Sequence, residues 1–197
     1  MRATYGLLLV EFAAYVALFP FSNMTIDHLG FSTSGLLRGQ FWTPLTSMFV
    51  HVDLYHLAFN LLFLYVFGTA LEDKIGAKKT LGIFLVGGIV SLFIGIPFYP
   101  VDTRIVGASI AVSALLGAVM VLNPTVKSSV LLLYLPLGLV ALIYVIFNLF
   151  MLIYDQGGGV AWPSHIIGFA LGVVIGLSRR QREHHESLIH SDDSLTP

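Results

Sequence analysis

The sequence predicts an all-α membrane protein, a bundle of six transmembrane helices with both termini in the cytoplasm. Three observations carry this prediction. Of the 197 residues, 56% are hydrophobic and 11% charged, with a mean hydropathy of +0.87, whereas a soluble domain carries about a quarter charged residues. Six segments supply, or nearly supply, the roughly 20 apolar residues that cross a hydrocarbon layer. The Lys and Arg residues then divide unequally between the loops.

The first segment, about 5–21, has the apolar run of a secretory signal. It contains Glu11, no small-residue cleavage site follows, and further spans come later, so it reads as a retained helix. The next five lie at about 53–71, 80–98, 106–122, 128–154 and 163–178. Breakers separate them: Pro97 and Pro100, then Asn123-Pro124, then Gly157-Gly158-Gly159. The fifth is longer than a crossing requires and holds Pro136, so a tilt or kink is expected there. Residues 1–178 form the membrane domain, and 179–197 a polar cytoplasmic tail expected to be disordered.

With the N-terminus inside, Arg2, Lys74, Lys78, Lys79, Lys127, Arg179, Arg180 and Arg182 are cytoplasmic, and only Arg38 and Arg104 lie outside. Eight against two fixes the orientation, in the sense of a multi-pass cell-membrane protein. The second, fourth and sixth spans then run from outside to inside. His56 and Asn60 start the second, Ser109 the fourth and His165 the sixth. At about 1.5 Å per residue, all four lie within roughly 10 Å of the outer boundary. Polar side chains in hydrocarbon are expensive and persist when they pair or perform a function.

Their types suggest nucleophilic chemistry. A serine hydroxyl needs a base to take its proton, usually a neutral imidazole in hydrogen-bond reach, and His165 is the candidate base for Ser109. A tetrahedral oxyanion needs donors. His56 and Asn60, spaced i, i+4, share a helix face and can supply them, together with the Ser109 backbone N–H near a helix start. No carboxylate lies in the early turns of the fourth or sixth span, so the economical reading is a Ser109–His165 dyad, with Asp53 the nearest acid in the second span. Each residue has a plainer reading. A membrane serine often bonds its own helix, and a membrane histidine can relay protons or bind metal. Zinc held by His51, His56 and His165 is the weaker case, because HxxxxH does not put both rings on one helix face as HExxH does. Gly168, Gly172 and Gly176 recur every four residues in the sixth span, with Gly107 and Gly117 flanking Ser109 in the fourth. Small residues at that spacing let helices approach closely.

Near-zero net charge and the lack of a long basic run exclude nucleic acid as a partner. With no cysteine, disulfides and thiolate catalysis are excluded. No cofactor or metal is expected.

The same residues carry a family pattern. HVDLYHLAFNLLFLYVFGTALED resembles the second helix of rhomboid intramembrane serine proteases, with HxxxxHxxxN at His51, His56 and Asn60. GASIAVSALLGA resembles the GxSG stretch holding the rhomboid nucleophile, at Ser109, and SHIIGFALG resembles the HxxGxxxG of the last core helix, at His165. QFWTPLTSMF resembles the end of the first outer loop, where many rhomboids have Trp-Arg. The resemblance covers about residues 38–178 and fits a minimal six-helix prokaryotic member.

The resemblance implies a rhomboid-like bundle that cleaves single-span membrane proteins at or just outside the outer face, so the expected partners are transmembrane substrates and the lipid bilayer. It implies oxyanion roles for His56 and Asn60, an outer loop partly embedded in the outer leaflet, and a gate and cap formed by the fifth helix and residues 155–163. Three positions depart from the pattern. Ile110 follows the nucleophile in place of Gly, Thr43 replaces the Arg of Trp-Arg, and Ser113 stands where some members stack a Tyr on the catalytic His. Without that Tyr, another group has to hold His165.

A hydrolase below the membrane surface needs water, so an outward-open cavity lined by His51, His56, Asn60, Ser109 and His165 is expected. The alternative function is a catalytically impaired rhomboid-like protein that binds transmembrane helices. A small transporter would show inverted repeats, and none is evident. Natural substrate, cleavage preference and oligomeric state are not legible in the sequence.

Overall fold

The computed structural model describes residues 2–128, 134–155 and 159–193, the side chains of 22–23 and 186–193 excepted. Regular structure in the described residues is helical, with two isolated bridging pairs between loops. Among the described residues, four helical stretches are long and apolar enough to cross a membrane: Ala3–Phe21, Leu54–Ile75, Ala77–Phe98 and Leu137–Tyr154.

Helix α1, Ala3–Leu18, opens at a cap supplied from elsewhere in the chain. Glu72 accepts from the backbone N–H groups of Ala3 and Thr4, at 2.9 Å each, and from Thr4 Oγ1 at 2.6 Å. A carboxylate at a helix N-terminus satisfies orphan donors and complements the helix dipole. Farther along α1, Glu11 is fully buried, and neither carboxyl oxygen has a partner among the described residues.

Three short helices follow, α2 (Ser22–Leu29), α3 (Thr33–Leu37) and α4 (Thr43–Thr46). Arg104, from the loop that leads to Ser109, ties this region together. Its guanidinium donates to the Gly30 carbonyl at 3.3 Å and Gln40 Oε1 at 3.4 Å, and lies 3.8 Å from Asp27. Thr43, in the place of the family's Arg, is buried and donates to the Gln40 carbonyl at 2.8 Å.

Helix α5, Leu54–Phe63, continues through a π turn at Leu64–Gly68 into α6, Thr69–Ile75. Asp53 is its N-cap, accepting from the His56 backbone N–H at 2.7 Å. This is the preferred work of Asp at such a position, and it accounts for the acid that the sequence left beside the site.

Helix α7 is Ala77–Gly95 and α8 is Ser109–Leu122. Every residue of α8 from Ile110 to Val119 is buried, as an all-round apolar helix must be. Helix α9, Leu137–Tyr154, and α10, Trp162–Asp193, pack against it. The close contact of α8 with α10 depends on glycine. A Cβ at Gly168 would stand 2.6 Å from the Ile110 carbonyl oxygen, and one at Gly117 or Gly172 would overlap the backbone of the facing helix. The outward faces of α1 and α9 remain apolar, with Phe12, Val16, Ile146 and Phe150 more than half exposed.

Two expectations change. The fifth span was expected from about 128 with a kink at Pro136, whereas helix α9 begins at Leu137 with Pro136 as its N-cap, residues 129–133 lying outside the described residues. Proline fixes φ without offering an N–H, which suits a helix start rather than an interior. The tail is not disordered from 179 onward, since α10 runs unbroken to Asp193. Extending an existing helix needs no new nucleus, so even a polar sequence can continue it.

Candidate active site

The site begins with a loop that turns sharply into a helix. The segment before α8 is pinned to the α2–α3 region by paired backbone bonds between Phe31 and Ile105, at 3.0 and 2.8 Å. Gly107 donates to the Ser47 carbonyl at 2.8 Å and adopts φ +103°. That backbone region suits glycine, and a Cβ there would also stand 2.6 Å from the His56 ring. The chain can therefore pass directly beneath this imidazole just before Ser109.

Ser109 is the first residue of α8, where backbone N–H groups lack intrahelical acceptors. Its Oγ lies 2.7 Å from His165 Nε2. His165, in the first turn of α10, is 6% exposed. On its far side, Nδ1 lies 3.0 Å from Asn148 Oδ1. The Trp162 and Tyr144 rings flank the imidazole, at centroid distances of 6.0 and 6.4 Å.

A cavity of about 830 Å³ reaches this pair. Its lining includes His56, Ser109 and His165 together with Tyr99, Arg104 and Trp162. Rim residues Val52 and Phe98 are 46% and 63% exposed, so the cavity opens at the molecular surface. Asn60 and His51 are not part of the lining. Asn60 is buried and donates to the His56 carbonyl at 2.8 Å, with its Oδ1 unpartnered among the described residues. His51 precedes α5 and faces a small separate pocket beside Tyr15 and Thr25, its ring edge-on to His56 at 5.1 Å. Burial pushes its pKa down to about 3, with His56 adding to the effect and Asp53 opposing it.

Residues 38–182 match the family model described as Rhomboid domain. The chain belongs to the rhomboid family. It is also similar to the rhomboid protease GluP of Bacillus subtilis (strain 168), 36% identical over 85 residues, covering 43% of this chain and 16% of that protein. The chain therefore spans about a sixth of that relative's length. Family membership and the apolar helices make it a multi-pass membrane protein.

The departures of this rhomboid from its family pattern find structural answers. Ile110 packs with Phe31, Leu92 and Ile105 in an apolar cluster, and the Ser109–His165 contact forms with Ile110 in place. Ser113 does not stack on the histidine. Its hydroxyl instead meets the Tyr144 hydroxyl at 2.7 Å and donates to the Ser109 carbonyl at 2.7 Å. Besides Trp162 on α10 itself, the groups around His165 are Tyr144 and Asn148 of α9, neither of them among the residues expected at the site. A signal was available, because Tyr144 and Asn148 are polar, four residues apart and within an apolar span. For the expected cap at 155–163, Trp162 Nε1 donates to Asp155 Oδ2 at 2.8 Å. Gly157 and Gly158 lie outside the described residues.

Proposed function

We propose that this rhomboid is an intramembrane serine endopeptidase that cleaves single-span membrane proteins near the outer membrane face. The observation that carries this reading is the 2.7 Å contact of Ser109 Oγ with His165 Nε2 at a surface-open cavity within an apolar bundle. A hydroxyl in that contact is poised to lose its proton to the imidazole as it attacks a carbonyl carbon. The tetrahedral oxyanion forms at the start of α8, where the Ser109 N–H is available and His56 and the second amide hydrogen of Asn60 are the proposed further donors. His165 then protonates the leaving amine, and water enters through the cavity to hydrolyse the Ser109 acyl ester.

In this reading α8 and α10 also cross the bilayer, giving six spans with cytoplasmic termini in the cell membrane. The loop charge asymmetry supports that orientation.

A fluorophosphonate probe and a reporter transmembrane substrate test the proposal together. Ser109 should be labelled covalently, and Ser109→Ala or His165→Ala should abolish cleavage while the protein keeps its detergent melting temperature. Full cleavage by Ser109→Ala refutes the reading. A native protein that neither labels nor cleaves leaves the helix-binding alternative.

A further inference from the structure

Asn148 is 1% exposed in the middle of an apolar helix, and both ends of its amide are committed. Nδ2 donates to the Tyr144 carbonyl at 2.8 Å. That carbonyl can only accept, so the nitrogen must stay on that side and the oxygen must face His165. Oδ1 also only accepts, so the proton at the 3.0 Å contact belongs to His165 Nδ1. In a neutral imidazole this leaves Nε2 with its lone pair directed at Ser109 Oγ, 2.7 Å away.

The network closes on itself. Ser113 gives its proton to the Ser109 carbonyl, so Tyr144 must be the donor in the Tyr144–Ser113 contact. Three helices are joined in one polar ring: Ser109 and Ser113 on α8, Tyr144 and Asn148 on α9, and His165 on α10. We propose that Asn148 is the positioning residue of this enzyme, holding His165 in the Nδ1–H tautomer and completing a Ser109–His165–Asn148 relay. The proposal rests on the protease reading for its catalytic consequence, but its tautomer statement stands apart from hydrolysis. A carboxamide suits the setting, because it accepts the Nδ1 hydrogen without placing a charge among apolar helices. Holding the base from α9 has a further result. Any displacement of that helix changes the tautomer and aim of His165, so the base is correctly set only when α9 is seated.

The test uses full-length protein in detergent micelles with ¹⁵N-labelled histidine, alongside reporter cleavage. The His165 signals, assigned with His165→Asn, should show a protonated Nδ1 in the parent and lose that preference in Asn148→Ala. In cleavage, Asn148→Ala should lower kcat about 100-fold with KM nearly unchanged, as expected when a base loses its tautomer and aim. Asn148→Asp, which restores an Nδ1 acceptor, should recover at least about tenfold of that loss. The parent tautomer persisting in Asn148→Ala overturns the proposal, as does kcat within twofold of the parent. A tautomer change in a protein that never cleaves supports the positioning role and refutes the protease reading instead. If Asn148→Ala does not fold, the Asp variant decides: a folded Asp variant without the Nδ1–H signature overturns the proposal, and one that retains it supports it.

Discussion

Replacing Gly168 with alanine should separate Ser109 from His165, the proposed nucleophile and base, without touching either. The added Cβ would sit 2.6 Å from the Ile110 carbonyl oxygen, where ordinary contact begins at 3.4 Å. The opposing atom is backbone, so the helices must part by about 0.8 Å, the difference between those two values. Ile110 adjoins Ser109, and Gly168 lies one turn below His165, so the opening falls at the site. Added to the 2.7 Å Ser109–His165 contact, it gives about 3.5 Å, beyond a useful O–H···N hydrogen bond. A misplacement near 1 Å can cost roughly 100-fold in rate, and overpacking costs about 1–3 kcal/mol of stability. The assay is fluorophosphonate labelling rate and reporter cleavage in liposomes, beside a thermal melt. Gly82→Ala serves as control, because a Cβ there meets nothing within 4 Å. Labelling and cleavage by Gly168→Ala within twofold of the parent would refute the claim that glycine contact sets the geometry.

Other consequences are testable by melts in detergent. Glu72→Ala removes three hydrogen bonds at the start of α1 and should cost about 2–3 kcal/mol; Arg2→Ala removes an exposed ion pair with Asp73 and should cost under about 1 kcal/mol. Glu11→Leu replaces a fully buried, unpartnered carboxyl and should raise the melting temperature, whereas a clear drop would show that the carboxyl has a stabilising partner. His51 has a folded pKa of about 3 against about 6.5 unfolded. Between those values the unfolded state binds the extra proton, so stability falls with falling pH, by about 2 kcal/mol from pH 7 to pH 5. His51→Phe should flatten that part of the pH–stability curve, and an unchanged slope would exclude His51 as its source.

The Ser109–His165 contact is legible because each residue is polar and interrupts an apolar run at a helix start. The charge asymmetry adds the expectation that the two share one depth. His51 was harder. Helical spacing was applied across HxxxxH, yet His51 lies before the Asp53 cap, so the periodicity that relates His56 to Asn60 does not reach it. The fifth span is expected from about 128 because hydrophobicity is continuous there, and hydropathy alone does not mark where α9 begins, at Leu137. Pro136 carried that information, since it disfavours helix at the preceding residue. Asn148 is harder to read, because the usual orienting group for a histidine is a carboxylate and none lies in the early turns of the helices of Ser109 and His165. The partner came from a third helix and was an amide.

The shortness of α8 bears on the depth at which the proposed protease would cut a peptide bond. Its 14 residues measure about 21 Å, against a hydrocarbon layer of about 30 Å. If its inner end reaches the cytoplasmic boundary, the helix stops about 9 Å below the opposite surface, and Ser109 is its last rung. The irregular stretch from Tyr99 to Ala108 leads into the helix, and its last part, with Ile105, Gly107 and Ala108, is buried in protein, where non-helical backbone is tolerated at membrane depth. Helix length then works as a ruler. In the proposed protease, scission depth then follows from roughly six absent residues, and an insertion of that size would carry Ser109 up to the water line and change the substrates it could meet.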